Sequence, residues 1–91
     1  MGYEYKITVS LPLDVSVRIL QKAGHNSALP VAGGYEYRAA GSVGLPNAFA
    51  KAEAYGFYLC TYEKHGLGAE VLGYIVSAAA EFGAVLFEEL E

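Results

Sequence analysis

Residues 66–91 read GLGAEVLGYIVSAAAEFGAVLFEELE, and this stretch decides the fold that the rest of the chain must complete. Its apolar residues recur at steps of three and four, as in an amphipathic helix: Leu67, Val71, Leu72, Ile75, Val76, Ala79 and Phe82. Gly83 can take the left-handed backbone that ends a helix. Ala84–Phe87 then predicts a buried strand. One helix and one strand are therefore joined by a single glycine.

The N-terminal segment predicts a strand followed by a second helix. Tyr3–Leu11 alternates apolar and polar residues without a break, which indicates a strand with one apolar and one wet face, and Pro12 ends it. Asp14 is a suitable N-cap for the helix that follows, and Gly24 is a suitable end. The buried stripe of this helix is expected to comprise Val15, Ile19, Leu20 and Ala23.

The middle of the chain predicts shorter elements. Ala28–Gly34 reads as irregular because of its proline and paired glycines, and Tyr35–Ala39 alternates as a second strand. Pro46–Tyr55 predicts a short helix, since proline suits the first turn and Phe49, Ala52 and Tyr55 share a face. Phe57–Tyr62 is apolar or aromatic on both faces, which predicts a central strand.

These elements indicate a single α+β domain spanning residues 1–91. The half-wet first strand favours a sheet covered on one face only over a parallel sheet covered on both. We therefore expect a two-layer sandwich, close to the ferredoxin-like split βαβ arrangement. The short helix at Pro46–Tyr55 would lie in the connection between the middle strands.

Composition and charge exclude several functions. The net charge is −4 and the six basic residues are scattered singly, whereas a duplex nucleic-acid surface needs clustered Lys and Arg. The sequence has no run of 18 apolar residues, so we do not expect a membrane partner. It has one cysteine and thus no internal disulfide, so we expect a cytoplasmic location. The 54% hydrophobic content favours a partner that covers apolar surface, either another protein or a second copy in a homodimer.

Two segments resemble the RNA-recognition-motif family. Lys6–Ser16 is similar to that family's first strand running into a Leu-Pro turn and a capped helix, and Tyr55–Phe57 is similar to the core of its third-strand motif. The resemblance implies stacking of single-stranded nucleic acid on Tyr55 and Phe57. Glu53 and Thr8 depart from the family, which has a basic and an aromatic residue there. A single-strand binder is therefore an alternative function.

Candidates for catalysis, metals and cofactors are few. Cys60, His25 and His65 lack the spacing of a zinc site, so we expect no metal and no cofactor. A Cys60–His65 nucleophile pair would require the two side chains to meet, and a small ligand-binding dimer or enzyme is a further alternative. Gly66–Gly68 precedes a helix N-terminus, where phosphates bind, and leaves a phosphate site open.

Eight tyrosines are the most distinctive compositional feature. Tyrosine suits interfaces because its ring buries area while its hydroxyl stays hydrated. We expect a protein–protein interaction module rather than an enzyme, acting as an inhibitor or adaptor; small acidic proteins of this kind include phage anti-CRISPR inhibitors of host defence. The acidic cluster at Glu88, Glu89 and Glu91 would select a basic partner. The expected partner-binding residues are Tyr3, Tyr5, Tyr35, Tyr37, Glu88 and Glu89.

Overall fold

The protein is an α+β fold with one antiparallel sheet. The structure is a computed structural model that describes residues 2–41 and 44–90, and Glu91 of the predicted acidic cluster lies outside these ranges. Within them the elements are β1 (Tyr3–Thr8), α1 (Leu13–Asn26), β2 (Ala28–Val31), β3 (Gly34–Tyr37), β4 (Ala48–Glu53), β5 (Gly56–Thr61), α2 (Leu67–Ala80) and β6 (Leu86–Leu90). The six strands lie in the order β2-β3-β4-β5-β1-β6, and every neighbouring pair is antiparallel.

The two helices pack against each other and against the sheet, where they enclose a single core. α1 lies over β2, β3 and β4, and α2 lies over β3, β4 and β5. The core side chains with no exposed surface are Ile7, Ala23, Tyr37, Ala48, Ala50, Phe57, Leu59, Val71, Ile75 and Ala79. The predicted stripe of α2 is confirmed at Val71, Ile75 and Ala79, whereas Phe82 lies beyond the helix and is exposed.

β1 has the two unlike faces that its alternation predicts. Ile7 faces the helices and is buried, and Tyr5 on the same face packs at the edge of the core. Glu4, Lys6 and Thr8 alternate onto the other face of the sheet. β1 is held on both sides, by β5 and by β6, so it is an interior strand of the sheet.

The predicted short helix at Pro46–Tyr55 is wrong, because this segment forms β4 and a tight hairpin to β5. Ala48, Ala50 and Ala52 recur at steps of two and face the helices. Their small side chains leave room for the larger residues around them, and this packing overrides the helix preference of alanine. The hairpin turns through Ala54 and Tyr55, and Glu53 pairs with Gly56.

The segment predicted to be irregular, Ala28–Gly34, instead contains the edge strand β2. β2 pairs with β3 and turns through Ala32 and Gly33, where Gly33 has a positive φ of 83°. Pro30 is accepted because an edge strand needs no inward amide at every position. The sheet therefore has six strands where the sequence predicted four, and the two additional strands are β2 and β4.

The start of α1 and the start of the last strand differ in detail from their predictions. Asp14 is not an N-cap, because Pro12 holds that position without a side-chain cap, and Asp14 pairs instead with Arg18 at 3.9 Å. Regular helical geometry in α1 is already lost at Ala23, one residue before the predicted end at Gly24, which has a φ of 63°. β6 begins at Leu86 rather than Ala84, so the acidic residues belong to the strand.

Gly56 is required at the start of β5, where this strand lies close against the backbone of β1. Its φ of 143° is in the region that side chains avoid, and an added Cβ would collide with the carbonyl oxygen of Ile7. Gly56→Ala should therefore cost roughly 3 kcal/mol of unfolding free energy, measured by chemical denaturation. Gly73→Ala is the control: it meets nothing within 4 Å in α2 and should gain about 1 kcal/mol. Equal stabilities of the two variants would contradict this account of Gly56.

Tyr37 ties β3 to α1 through a buried hydrogen bond, since its hydroxyl donates to the carbonyl oxygen of Leu20 at 2.6 Å. Tyr37→Phe should lower the free energy of unfolding by about 1–2 kcal/mol at pH 8, measured by chemical denaturation. Tyr35→Phe should cost less, because the Tyr35 hydroxyl only accepts a 3.3 Å bond from the exposed Gln21.

The same pair of variants tests a pH dependence. Burial, followed by the nearby Tyr35, raises the pKa of Tyr37, so the folded state keeps a proton that the unfolded state loses above about pH 10. This contribution is complete below pH 10 and is lost as the pH rises further. Unfolding measured at pH 9 and pH 11 should show a smaller loss of stability in Tyr37→Phe than in the unsubstituted protein or in Tyr35→Phe. An equal loss of stability in all three proteins would refute a contribution of Tyr37 to the pH dependence.

Candidate interaction surface

β6 forms one edge of the sheet and is exposed along its whole length. Among the described residues it pairs only with β1, through a register that places Lys6 opposite Glu88 and Tyr5 opposite Glu89. The rings of Tyr5 and Phe87 stack with their centroids 5.3 Å apart. The strand is therefore attached by one ladder and one aromatic contact.

β6 also lies beyond the strands over which the helices mainly pack. Three of its five side chains are large and apolar, with Leu86 57%, Phe87 44% and Leu90 38% exposed. Leu86 and Leu90 alternate onto the open face of the sheet and Phe87 onto the helix side. We define the β6 surface as the free edge and both faces of this strand, with the adjoining side chains of β1: Tyr3, Tyr5, Leu86, Phe87, Glu88, Glu89 and Leu90.

Four of the six predicted partner-binding residues meet on this surface, and two do not. Tyr5 lies on β1 opposite Glu89, and Glu88 is the next residue of β6. Tyr3 lies two residues before Tyr5 on β1, with the Lys64 ammonium 5.3 Å from the centroid of its ring. Tyr35 lies on β3, on the far side of β4 and β5, and packs against the core. Tyr37 has no exposed surface, so its place in the predicted site is wrong: the long Tyr side chain fills the space between β3 and α1.

Sequence reasoning missed the apolar part of the β6 surface. Leu86 and Phe87 were expected in a buried strand, because an apolar run gives no sign of whether its strand is central or at an edge. The acidic residues directly after the run were the available signal, since charged residues are typical of edge strands.

Most carboxylates elsewhere have partners. Glu36 pairs with Arg38 at 3.3 Å, Glu53 with Lys51 at 3.2 Å and Glu70 with His25 at 2.8 Å. Glu4 accepts a hydrogen bond from the Tyr58 hydroxyl at 2.9 Å. Within residues 2–41 and 44–90, neither Glu88 nor Glu89 forms an ion pair or a side-chain hydrogen bond.

The open face of the sheet satisfies its own charges. The Lys51 ammonium lies 5.6 Å from the centroid of the Tyr58 ring, and the Lys6 ammonium lies 4.8 Å from that of Tyr55. Burial, then the hydrogen bond to Glu4, raises the pKa of Tyr58, so this phenol stays neutral. The Cys60 side chain, with burial, raises the pKa of Tyr62. The cations on this face are thus already engaged with its aromatic rings.

The stacking residues implied by the RNA-recognition-motif resemblance are not placed for stacking. Phe57 faces the helices and has no exposed surface, because it pairs with Ile7 in the core. Tyr55 lies in the β4–β5 turn beneath Lys6. The predicted stacking of a base on Phe57 is therefore wrong.

The metal and nucleophile candidates lie apart in the described structure. Cys60 is buried within β5 beside Tyr62, while His65 is exposed in the loop before α2. Across residues 2–41 and 44–90, no group of three or more His, Cys, Asp or Glu side chains is arranged to hold a metal ion. His25 instead pairs with Glu70 beside a cleft of about 960 Å³ between the helices.

The phosphate candidate at Gly66–Gly68 is occupied by the protein's own carboxylate. The Gly68 amide donates to Glu63 Oε2 at 2.9 Å, so Glu63 takes the place that an anion would fill at the start of α2. A phosphate there would have to displace this side chain.

Comparisons of the chain with family models, with curated proteins and with solved structures gave no match. The helices in the described part of the chain are too short or too polar to cross a bilayer. The cytoplasmic location stays a prediction from the sequence.

Glu63 should contribute to stability as the cap of α2. Glu63→Ala removes the acceptor of the Gly68 amide and should cost about 1 kcal/mol of unfolding free energy. Glu81→Ala removes an exposed carboxylate beyond the other end of the same helix and should change stability by less than about 0.5 kcal/mol. Chemical denaturation of both variants checks the difference, and equal costs would argue against a capping role.

Proposed function

We propose that this protein is a protein–protein interaction module that acts as an inhibitor or adaptor and docks through the β6 surface. The observation that carries the proposal is the exposure of β6, whose five residues are all accessible and include Leu86, Phe87 and Leu90. A free edge with large apolar side chains is typical of surfaces that bind other chains. The partner is another protein, and neither a membrane nor duplex nucleic acid is part of the proposal.

The contrast between the two sheet edges supports this assignment. β2, at the opposite edge, has four residues and contains Pro30, which cannot donate to an added strand. β6 has five residues and no proline. Only β6 therefore offers an uninterrupted backbone together with aromatic contact area from Tyr5 and Phe87.

We also propose a ferredoxin-like assignment for the inner part of the fold. The strands β4-β5-β1-β6, with α1 after β1 and α2 after β5, follow the strand order of the split βαβ arrangement. The β2–β3 hairpin then extends the sheet at the edge distant from β6.

The proposal is tested with matched serine variants at the two edges. Leu86 on β6 is 57% exposed and Leu29 on β2 is 53% exposed, so each substitution removes a similar apolar contact area. Binding partners are isolated with the unsubstituted protein from an extract of its source organism, identified, and measured again in purified form. Leu86→Ser should weaken the purified complex about tenfold or more, since Leu burial contributes roughly 1.5–3 kcal/mol.

Leu29→Ser should leave the affinity unchanged within about twofold, because β2 is not part of the proposed surface. Circular dichroism and thermal unfolding of both variants confirm that the fold is kept. Equal losses in the two variants, or a loss in Leu29→Ser alone, would place the contact elsewhere on the protein.

A further inference from the structure

We infer that the β6 surface takes an extended peptide segment as a seventh strand, and that this segment carries two adjacent basic residues flanked by apolar ones. The inference rests on the proposed function and names the chemistry of the partner at that site. It is drawn from the free edge of β6, from the alternation of its side chains and from the two carboxylates that lack a partner.

The backbone of β6 supplies the attachment. One side of the strand pairs with β1, and in the described structure no further strand follows it in the sheet order. An added strand makes main-chain hydrogen bonds there without regard to sequence, and its alternate side chains give selectivity.

The charges on β6 determine which peptide strand fits beside it. Lys6 lies directly opposite Glu88 in the register, yet its ammonium lies over the Tyr55 ring instead. Glu89 lies opposite Tyr5, whose phenol offers no positive charge. Both carboxylates are thus left for a cation from outside, whereas Glu36 and Glu53 already pair with Arg38 and Lys51.

The side-chain order of β6 then specifies the order in the partner. Adjacent residues of a strand project to opposite faces, so Glu88 belongs to the open face with Leu86 and Leu90, and Glu89 belongs to the helix side with Phe87. A segment running antiparallel to β6 should therefore read apolar-basic-basic-apolar-apolar. Each basic residue would face one carboxylate, and the apolar residues would face Leu90, Phe87 and Leu86 in turn.

A second copy of this chain fits the same edge less well. In a twofold antiparallel pairing centred on the middle of β6, Glu88 would lie opposite its own counterpart and Glu89 opposite Phe87. Like charges placed directly across a ladder destabilise it, and each copy carries a net charge of −4. The homodimer predicted from the sequence is therefore an outcome of the test and not the occupant we infer.

The experiment uses the full chain and the synthetic peptide acetyl-Thr-Val-Lys-Lys-Val-Val-Thr-amide. Nuclear magnetic resonance titration should show saturable shifts of the Leu86–Leu90 amides and slower hydrogen exchange in β6. A peptide with the five central backbone nitrogens methylated keeps both charges and loses the donors, so it should produce neither effect. Shifts equal to those of the unmodified peptide would reduce the interaction to charge attraction and overturn strand addition.

Protein variants test the charge pairing. Glu88→Gln with Glu89→Gln should weaken the basic peptide about fivefold to tenfold, as expected from the loss of two cross-strand charge pairs. Glu81→Gln changes an exposed carboxylate outside the β6 surface and should have less than a twofold effect. Glu88→Lys with Glu89→Lys should reverse the preference, binding the peptide that has Glu-Glu in place of Lys-Lys.

The experiments distinguish a failure of this inference from a failure of the proposed function. No shift in β6 at millimolar peptide, or no dependence on the two glutamates, refutes this inference. The proposed function still stands if Leu86→Ser weakens the purified natural complex. Sedimentation that shows a concentration-dependent dimer sensitive to Leu86→Ser would assign the edge to a second copy and refute the basic segment.

Discussion

The width of the sheet relative to the helix layer is the constraint on which the remaining features depend. A helix with its side chains is roughly 10 Å across, so two helices side by side cover about 20 Å. Strands lie about 4.8 Å apart, and a six-stranded sheet is therefore closer to 29 Å wide. Two helices can cover only about four strands, and here their main contacts are with β2 to β5. The strand left furthest outside is β6.

The position of the helix pair follows from the small and large residues beneath it. Ala48 and Ala50 on β4 and Ala79 on α2 are fully buried, and they let the helices come close to the middle of the sheet. Tyr37 fills the space beside α1 and fixes the helix to β3 through the carbonyl oxygen of Leu20. The same packing that holds the helices over β3 and β4 therefore leaves the β6 edge of the sheet uncovered.

The charged side chains fall into two groups, those with partners within the protein and those without. On the open face of the sheet, Lys6 and Lys51 lie over tyrosine rings, and Glu4 accepts from a tyrosine hydroxyl. On β6 the carboxylates of Glu88 and Glu89 have no such contacts among the described residues. Our proposal therefore places the docking surface at a single acidic and apolar edge and not on a broad tyrosine-lined face.

The sequence by itself determined the elements whose periodicity is long and regular. The alternation in Tyr3–Leu11 and the three-and-four spacing in Leu67–Ala79 are local patterns, so they specify a half-wet strand and an amphipathic helix without knowledge of the neighbours. The strand itself ends at Thr8, three residues before the alternation does. Glu88 and Glu89 were recognisable from the sequence as exposed, because charged side chains stay hydrated in almost any fold. The tertiary structure alone decided that Ala48–Glu53 is a strand, because alanine carries little pattern of its own and its state depends on what packs against it. It also decided that Tyr37 is buried and Leu86 exposed, since burial follows from strand order and helix placement, and both arise from contacts between residues distant in the chain.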